Sequence, residues 1–297
     1  MKYTWTLTKA RMLLALRNRA FIFFSLVMPL SFLFVFLGIF ARWLAPGGVS
    51  FLLGAVLALT VMGSFWGLSI QLVMFREQGI LRRFRLAPVG AGAMLASSII
   101  SNYILTLPTV VVEFAIARWV FHLDRWGNLW GVWALVTLGT VTFAAFGLIV
   151  ASVTNTTQET QVINNLIWSV FLFLSGATFP LAILPKSLQR LADYLPPTYL
   201  VTGLQRVLVS AATLWQVRAE LLALAAGSVV AFLISMQLFR WEPEEKVTRR
   251  AKVWAAATLI PFLLLGVWES AHGQLRSDSI RIYDAVQRRA MPAPPPR

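Results

Sequence analysis

Phe51-Leu-Leu-Gly-Ala-Val-Leu-Ala-Leu-Thr-Val-Met-Gly-Ser-Phe-Trp-Gly-Leu-Ser-Ile-Gln-Leu-Val-Met-Phe75 contains no charged residue. Coiled as an α-helix, a run of this length is about 37 Å long at 1.5 Å per residue. That exceeds the hydrocarbon core of a bilayer, roughly 30 Å. Within lipid the backbone must satisfy its own hydrogen bonds, which a single segment achieves only as a helix. The stretch therefore reads as a membrane-spanning helix, and the rest of the chain is built in the same way.

Of 297 residues, 58% are hydrophobic and 13% charged, against roughly 45–50% and 25% in soluble domains. A soluble globular protein is excluded on that ground. Lys and Arg number 26 against 12 Asp and Glu, a formal net charge of +14. In a soluble domain such a balance would suggest nucleic acid. Here many of the basic residues fall in the gaps between apolar runs, where cytoplasmic loops keep them, so membrane lipid is the expected partner and nucleic acid is not. The absence of cysteine excludes disulfides and thiolate metal sites. His122 and His272 are too far apart in sequence to suggest a local ligand pair, and no metal centre is expected.

Outward from Phe51–Phe75, a turn through Pro46, Gly47 and Gly48 leads back to a first span, Ala20–Ala41, with Pro29 as a kink. Residues 1–19 carry Lys2, Lys9, Arg11, Arg17 and Arg19 and no acid, with Tyr3, Leu7, Ala10 and Leu14 at helical spacing. They read as an amphipathic interfacial helix. The apolar run behind it is too long for a signal peptide and lacks a small-x-small cleavage site.

Toward the C-terminus, the spacing predicts spans at Gly92–Ala117, Leu129–Val153, Val162–Phe179 and Leu221–Phe239. Between the fifth and sixth, Pro180–Gln216 mixes polar and apolar residues and is interrupted by Pro185, Pro196 and Pro197. It reads as short re-entrant helices packed on protein or at the interface. After the charged stretch Arg240–Lys252, a seventh apolar run at 253–268 contains Pro261 and either spans or lies at the interface. The tail to Arg297, ending in Pro292-Ala-Pro-Pro-Pro-Arg297, reads as disordered. The fold expected is an all-α integral membrane bundle of six spans over 20–241, followed by an extension over 242–297. The N-terminus is placed in the cytoplasm, because 1–19, Arg76–Pro88 and Arg240–Lys252 then share one side. Lys186, Arg190, Arg206 and Arg218 run against that rule.

No catalytic constellation is visible. None of Lys2, Lys9, Lys186, Lys246 or Lys252 follows a glycine, so the phosphate loop of common ATPases is missing. Ser175-Gly176 lacks the surroundings of a serine nucleophile, and Glu244-Glu245 is flanked by basic residues. A membrane enzyme acting on lipids is correspondingly disfavoured.

Arg76-Glu-Gln-Gly-Ile-Leu-Arg-Arg-Phe-Arg-Leu-Ala-Pro88 is the most informative polar stretch. Gly79 permits a sharp backbone start, and Pro88 stops a helix before the third span. Ile80, Leu81 and Phe84 share a face that could enter a partner's groove, with Arg82, Arg83 and Arg85 at its rim. A snorkelling arginine loop that only sets topology is the plain alternative. Arg76 and Glu77 either cap the helix or form a solvated pair.

This stretch resembles the cytoplasmic connection of ABC type-2 transporter permeases, R-E-x-G-x-L-x-R-x-x-x-x-P. A second resemblance is Leu174-Ser-Gly-Ala-Thr-Phe-Pro-Leu-Ala-Ile-Leu-Pro185, followed by Leu195-Pro-Pro-Thr-Tyr-Leu200 and Gly203-Leu-Gln-Arg206. These are similar to the family's SG-x-x-F-P-x-x-x-L-P, L-P-x-x-Y-L and G-x-x-R ending. The pair in order covers about Met1 to Trp241, and looks most like permeases of drug export and nodulation-factor export.

The resemblance implies a permease in the plasma (inner) membrane, working as a homodimer or heterodimer. No cofactor sits on this chain; a separate ATP-binding cassette subunit holds ATP and Mg. Residues 76–88 would be the coupling helix. Ser175, Gly176, Phe179, Pro180, Leu184, Pro185, Pro196, Pro197 and Arg206 would form the outer signature, a cap that opens or a static lid. Members usually end after the sixth span, so residues 253–297 inherit no role.

Glu113 is the one acid well inside a span. It reads as a substrate contact or proton relay, as a structural partner of Arg118 or Asn102, or as a carboxylate near enough the outer interface to be hydrated. Asn164 and Asn165 either bond across a dimer seam or cap the helix start. The leading expectation is an exporter permease for a lipophilic cargo; a proton-coupled secondary transporter using Glu113 is the alternative.

Overall fold

The computed structural model describes residues 2–17, 23–40, 47–85, 90–123, 125–242 and 249–288. No strand occurs among them. Helix α1 is Lys2–Arg17. A helical run over 23–40, α2, has α-helical Met28–Val35 between π-helical turns Phe23–Val27 and Phe36–Phe40. Pro29, near the start of the α-helical part, cannot donate a backbone N–H. The Ser25 carbonyl, one α-helical turn before it, accepts from the Thr109 hydroxyl at 3.1 Å, and the Ser31 hydroxyl donates back along the helix to the Val27 carbonyl, 2.8 Å away.

The main bundle follows: α3 Gly48–Glu77, α4 Ile80–Arg85, α5 Ala91–Trp119, α6 Leu129–Val153 and α7 Thr157–Leu174. A 3₁₀ turn, Leu181–Ile183, and helices α8 Lys186–Ala192 and α9 Pro196–Val209 come next, then α10 Arg218–Leu238. The C-terminal part is α11 Arg249–Ala257, α12 Ile260–His272 and α13 Gln274–Arg288.

Helix α3 is the axis of the bundle, buried along most of its length and packed against α5, α6, α7 and α9. It runs alongside α6 in the same direction, Val61 facing Gly139 and Phe65 facing Gly147. At Gly147 the two backbones touch: a Cβ there would lie 2.4 Å from the Phe65 carbonyl oxygen. Apolar burial gives membrane helices little reason to associate, so such close approach at small residues supplies the dispersion that holds them. Phe65 packs in turn on Trp168 and Phe171 of α7, and Phe171 on Phe143. We call the end of the bundle that carries Glu77, Val153 and Leu238 the lower end, and the end with Gly48, Trp119, Leu129 and Arg218 the upper end.

Among the described residues, five helical stretches are long and apolar enough to cross a membrane: α3, α5, α6, α10 and Ala251–His272. The last replaces the run expected at 253–268 and is longer, because α11 and α12 continue one another through Thr258 and Leu259. The apolar part of α2, Ser25–Phe40, is shorter, and α7 begins with the polar turn Thr157-Gln-Glu-Thr-Gln161. Residues 180–216 form short helices at the upper end.

Two expectations are corrected here. Helix α1 packs by a face turned away from Ala10 and Leu14: Thr8, Arg11 and Ala15 are buried against the first half of α5 and Leu7 is half-buried beside them, while Ala10, Leu13, Leu14 and Leu16 are exposed; the side chain of Tyr3 lies outside the described part. On that face the Arg11 guanidinium reaches the Met94 sulfur at 3.6 Å and sits over the Phe75 ring. Burial lowers its pKa to about 10, which leaves it charged at neutral pH. The tail is also not wholly disordered. Residues 274–288 form α13, whose Leu275, Ser279, Ile282 and Val286 recur at helical spacing and are buried. Residues 289–297 lie outside the described part.

Candidate functional site: a locked turn below and a charged cap above

At the lower end, Arg76 and Glu77 are the last two residues of α3 rather than part of a coupling helix. Gly79 turns the chain with φ +68°, a conformation that L side chains rarely adopt, and α4 starts at Ile80. Arg76 is 2% exposed and points inward. Its guanidinium donates to the Ala151 carbonyl (2.9 Å) and the Thr154 carbonyl (2.6 Å), which close α6. Helix C-termini leave such carbonyls without intrahelical partners, and a cation there also meets the negative end of the dipole.

Glu77 does the opposite job on the next helix. Its carboxylate accepts from the Thr157 N–H (3.0 Å) and hydroxyl (2.5 Å) at the first turn of α7. A third group was not anticipated: Arg240, just beyond α10, donates to the same Thr154 carbonyl (2.5 Å) and to Asn155 Oδ1 (3.1 Å). The ends of α3, α6, α7 and α10 thus converge on one short turn, 154–157. Arg240 stood in the charged stretch after the sixth span, and only its position marked it.

Within α4, Arg82 is exposed and Ile80 half-buried, but Leu81 is fully buried in this chain's own core, in one cluster with Leu72 and Val73. Leu81 is therefore unavailable to a partner, contrary to expectation; it anchors the turn. The side chains of Arg83, Phe84 and Arg85, and Pro88, lie outside the described part.

Mid-bundle, Glu113 is fully buried, and its Oε1 accepts a hydrogen bond from the Thr60 hydroxyl of α3 (2.5 Å). Neither Arg118 nor Asn102 pairs with it among the described residues. Arg118 donates to the Leu123 carbonyl and lies over the Trp126 ring. Glu113 Oε2 has no hydrogen-bond partner among the described residues. Asn164 donates to the Ser69 hydroxyl at 2.8 Å inside the subunit, so it is not free for a dimer seam. Asn165, one residue on, is exposed on the opposite face of α7 with Val162, Leu166, Ser169 and Phe173.

The upper end gathers the signature residues. Ser175 closes α7, Gly176 turns with φ +88°, and Phe179 stacks on Phe173. Pro180 and Pro185 open the 3₁₀ turn and α8; Leu184 between them is half-buried. Pro196 and Pro197 begin α9, where a missing N–H costs nothing. Tyr199 donates to the Asp193 carbonyl at 2.9 Å. Burial pushes the Tyr199 phenol up, keeping it a neutral donor.

Arg206 forms an ion pair with Glu220 at 2.6 Å and a second with Asp278 of α13 at 3.2 Å. Asp193, itself buried, lies 2.9 Å from Arg276 of α13, although the N–H is not aimed at the carboxylate as a hydrogen bond. Asp193, Glu220, Arg276 and Asp278 were absent from the sequence expectation, because their partners are distant in sequence and no spacing connects them. A cavity of about 340 Å³ lies among Arg206, Glu220, Trp268, Glu269 and Asp278. No group of three or more His, Cys, Asp or Glu residues suited to a metal occurs among the described residues.

The profile of the ABC-2 type transporter family matches residues 2–209. The chain is similar to the linearmycin resistance permease protein LnrN of Bacillus subtilis (strain 168), 24% identical over 182 residues. That match covers 61% of this chain and 47% of the relative, so the chain spans about half of LnrN's length. It is also similar to the putative transport permease YvfS of the same organism, 22% identical over 241 residues, covering 78% of this chain and 94% of the relative.

Proposed function

Because the chain belongs to the ABC-2 type transporter family, we propose that it is the membrane-spanning half of an exporter driven by a separate ATP-binding cassette subunit. That partner binds ATP and Mg²⁺, and the cargo is a lipophilic molecule moved out of the cytoplasm or inner leaflet. The observation that carries the reading is the lower turn. The short helix α4, which exposes Arg82, follows directly on the end of α3, and Arg76, Glu77 and Arg240 bond the ends of α3, α6, α7 and α10 together. A push on Arg82 and its neighbours would reach α7 directly, through the Glu77–Thr157 bonds.

The lower end is the cytoplasmic face in this reading, and the multi-pass chain sits in the inner membrane with α1 beside the ATPase and on lipid. Helix α7 supports a second copy of the permease. Its exposed face mixes Asn165 and Ser169 with Val162, Leu166 and Phe173, and polar groups at that depth are costly against lipid. A facing subunit would turn the stripe into the wall of a shared path, with Pro180–Arg206 as its upper gate. Resistance to linearmycin, the role in the name of one relative, fits cargo of a drug or lipid-like kind.

Gentle-detergent purification of the tagged protein, followed by mass spectrometry, tests the central claim. A stoichiometric subunit carrying a Gly-x-x-x-x-Gly-Lys-Ser/Thr loop is expected. A chain that arrives alone even after crosslinking would overturn the reading. It would favour proton-coupled transport instead, for which the half-partnered carboxyl of Glu113 is the specific support.

A further inference from the structure

The C-terminal segment 249–288 lies beyond the stretch matched to the family, yet it is seated on the residues that carry the family signature. Helix α12 fits notches cut by glycine. The Phe262 ring lies where a Cβ on Gly227 of α10 would be, 2.4 Å from the ring, and also packs on Tyr199. Gly266 leaves the room that the Tyr194 ring fills. Gly273, at φ +64°, then reverses the chain, and Glu269 accepts a hydrogen bond from the Leu275 N–H.

Helix α13 comes back across the top and touches two bodies at once. Its first half meets the cap: Leu275 joins Leu181, Ala192 and Tyr199 in one cluster, Arg276 lies against Asp193, and Asp278 against Arg206. Its second half meets the start of α3, where Tyr283 packs on Phe51 and Val286 approaches Gly47. The cap cannot move away from α3 without breaking one of these two sets of contacts.

We propose that residues 260–288 are an ionic latch on the upper gate, in which Arg276 and Asp278 position Asp193 and Arg206 and must release before the gate opens. The proposal rests on the reading of Pro180–Arg206 as a gate. Its chemistry suits a latch: Arg276 and Asp278 are partly exposed at 20% and 29%, so water can replace them. The Arg206–Asp278 pair, partly exposed at both ends, is of the kind that contributes little net stability, enough to bias an opening equilibrium without sealing it.

The chain contains no cysteine, so two reversible crosslinks separate the latch from the gate. A Cβ at Gly266 would lie 2.9 Å from Tyr194 Cγ, and one at Gly54 would lie 3.3 Å from both Cα and Cγ of Gln205. Both pairs are compatible with the roughly 3.5–4.5 Å Cβ separation of a disulfide. Gly266→Cys with Tyr194→Cys ties latch to gate; Gly54→Cys with Gln205→Cys ties gate to α3. Each variant is reconstituted with its ATPase in nanodiscs, and ATP turnover is read oxidised and then reduced.

Both locks are expected to lower turnover by roughly tenfold or more, with recovery on reduction, since gate steps commonly limit turnover. If the Gly54–Gln205 lock stops turnover and the Gly266–Tyr194 lock does not, the segment travels with the gate and the latch is wrong. If both disulfides form and neither slows turnover, the gate reading itself falls. In the uncrosslinked protein, Asp278→Asn should raise turnover about two- to fivefold, the effect of one partly exposed pair; Arg276→Gln, which strands the buried Asp193 carboxylate, should raise it at least as much, and Arg276→Lys should restore it. A fall or no change in the Gln and Asn variants, with the folded protein intact, overturns the latch.

Discussion

The contact between Gly147 and Phe65 offers the sharpest test of how the bundle is held. In Gly147→Ala the new methyl would lie 2.4 Å from the Phe65 carbonyl oxygen, 3.0 Å from its Cα and 3.1 Å from its carbonyl carbon. All three atoms are backbone, so no rotamer change relieves the clash, and α3 and α6 must part by about 1 Å to reach ordinary contact near 3.4 Å. Overpacking of a well-filled core typically costs about 1–3 kcal/mol, occasionally more. The upper part of that range is expected here, because parting the helices also loosens Phe65 from Trp168 and Phe171. Two controls bracket the result. Gly139→Ala meets side-chain ends of Leu200 and Val61, which can turn away, and Gly63→Ala meets nothing within 4 Å. Unfolding in mixed micelles, followed by tryptophan fluorescence, should rank stability Gly63→Ala above Gly139→Ala above Gly147→Ala, with the last about 2–3 kcal/mol below the unchanged protein. A Gly147→Ala protein as stable as Gly63→Ala would refute the claim that backbone contact between α3 and α6 organises the fold.

Other expectations follow from the two ends of the bundle. Arg82→Glu with Arg83→Glu should leave the protein in the membrane but uncouple ATP turnover from transport; turnover still linked to transport would remove α4 from the coupling path. Glu77→Gln keeps one acceptor oxygen for Thr157 and should slow coupled turnover a fewfold, whereas Thr157→Ser should be silent; equal effects would argue against the bond to the hydroxyl. Glu113→Gln should change cargo preference or rate while the ATPase stays bound, and unaltered transport would make Glu113 a structural partner of Thr60 alone. At the cap, burial raises Asp193 from the usual 3.8 to about 6, with Arg276 of α13 opposing the shift and Glu269 of α12 adding to it. Release of α13 would hydrate Asp193 and return it toward 3.8, so the closed latch binds the proton more tightly, and acid favours closure between about pH 6 and 4. Turnover should therefore fall as pH on the gate side drops from 7 to 5, and Asp193→Asn should flatten that response; an unchanged profile in the variant would exclude Asp193 as its source.

How much of this was legible in the sequence differs by element. Apolar run length and arginine-rich gaps are local properties that bilayer thickness and backbone hydrogen bonding turn into helices, so the all-helical membrane architecture could be read from stretches such as Phe51–Phe75. The two signature stretches named the family before any packing was known. Side-chain partners were a different matter. Leu81 appeared to belong to an outward face, yet it is buried; Asn164, read as facing a seam or capping the helix start, bonds to Ser69; Arg76 holds the end of α6. Each outcome depends on how neighbouring helices are rotated about their axes, and a run apolar on all sides carries no periodic signal of which face turns inward.

By itself, then, the sequence determined that the chain is an all-helical membrane protein, because transfer free energy accumulates residue by residue along a segment. Only the tertiary structure decided that Arg76, Glu77 and Arg240 meet at one turn, and that α13 returns to Asp193 and Arg206. Those contacts join residues about 70 to 90 positions apart, and their register is set by small-residue notches such as Gly147, Gly227 and Gly266. A glycine shows in the sequence that a side chain is missing; what fills the space is decided by the helix packed against it.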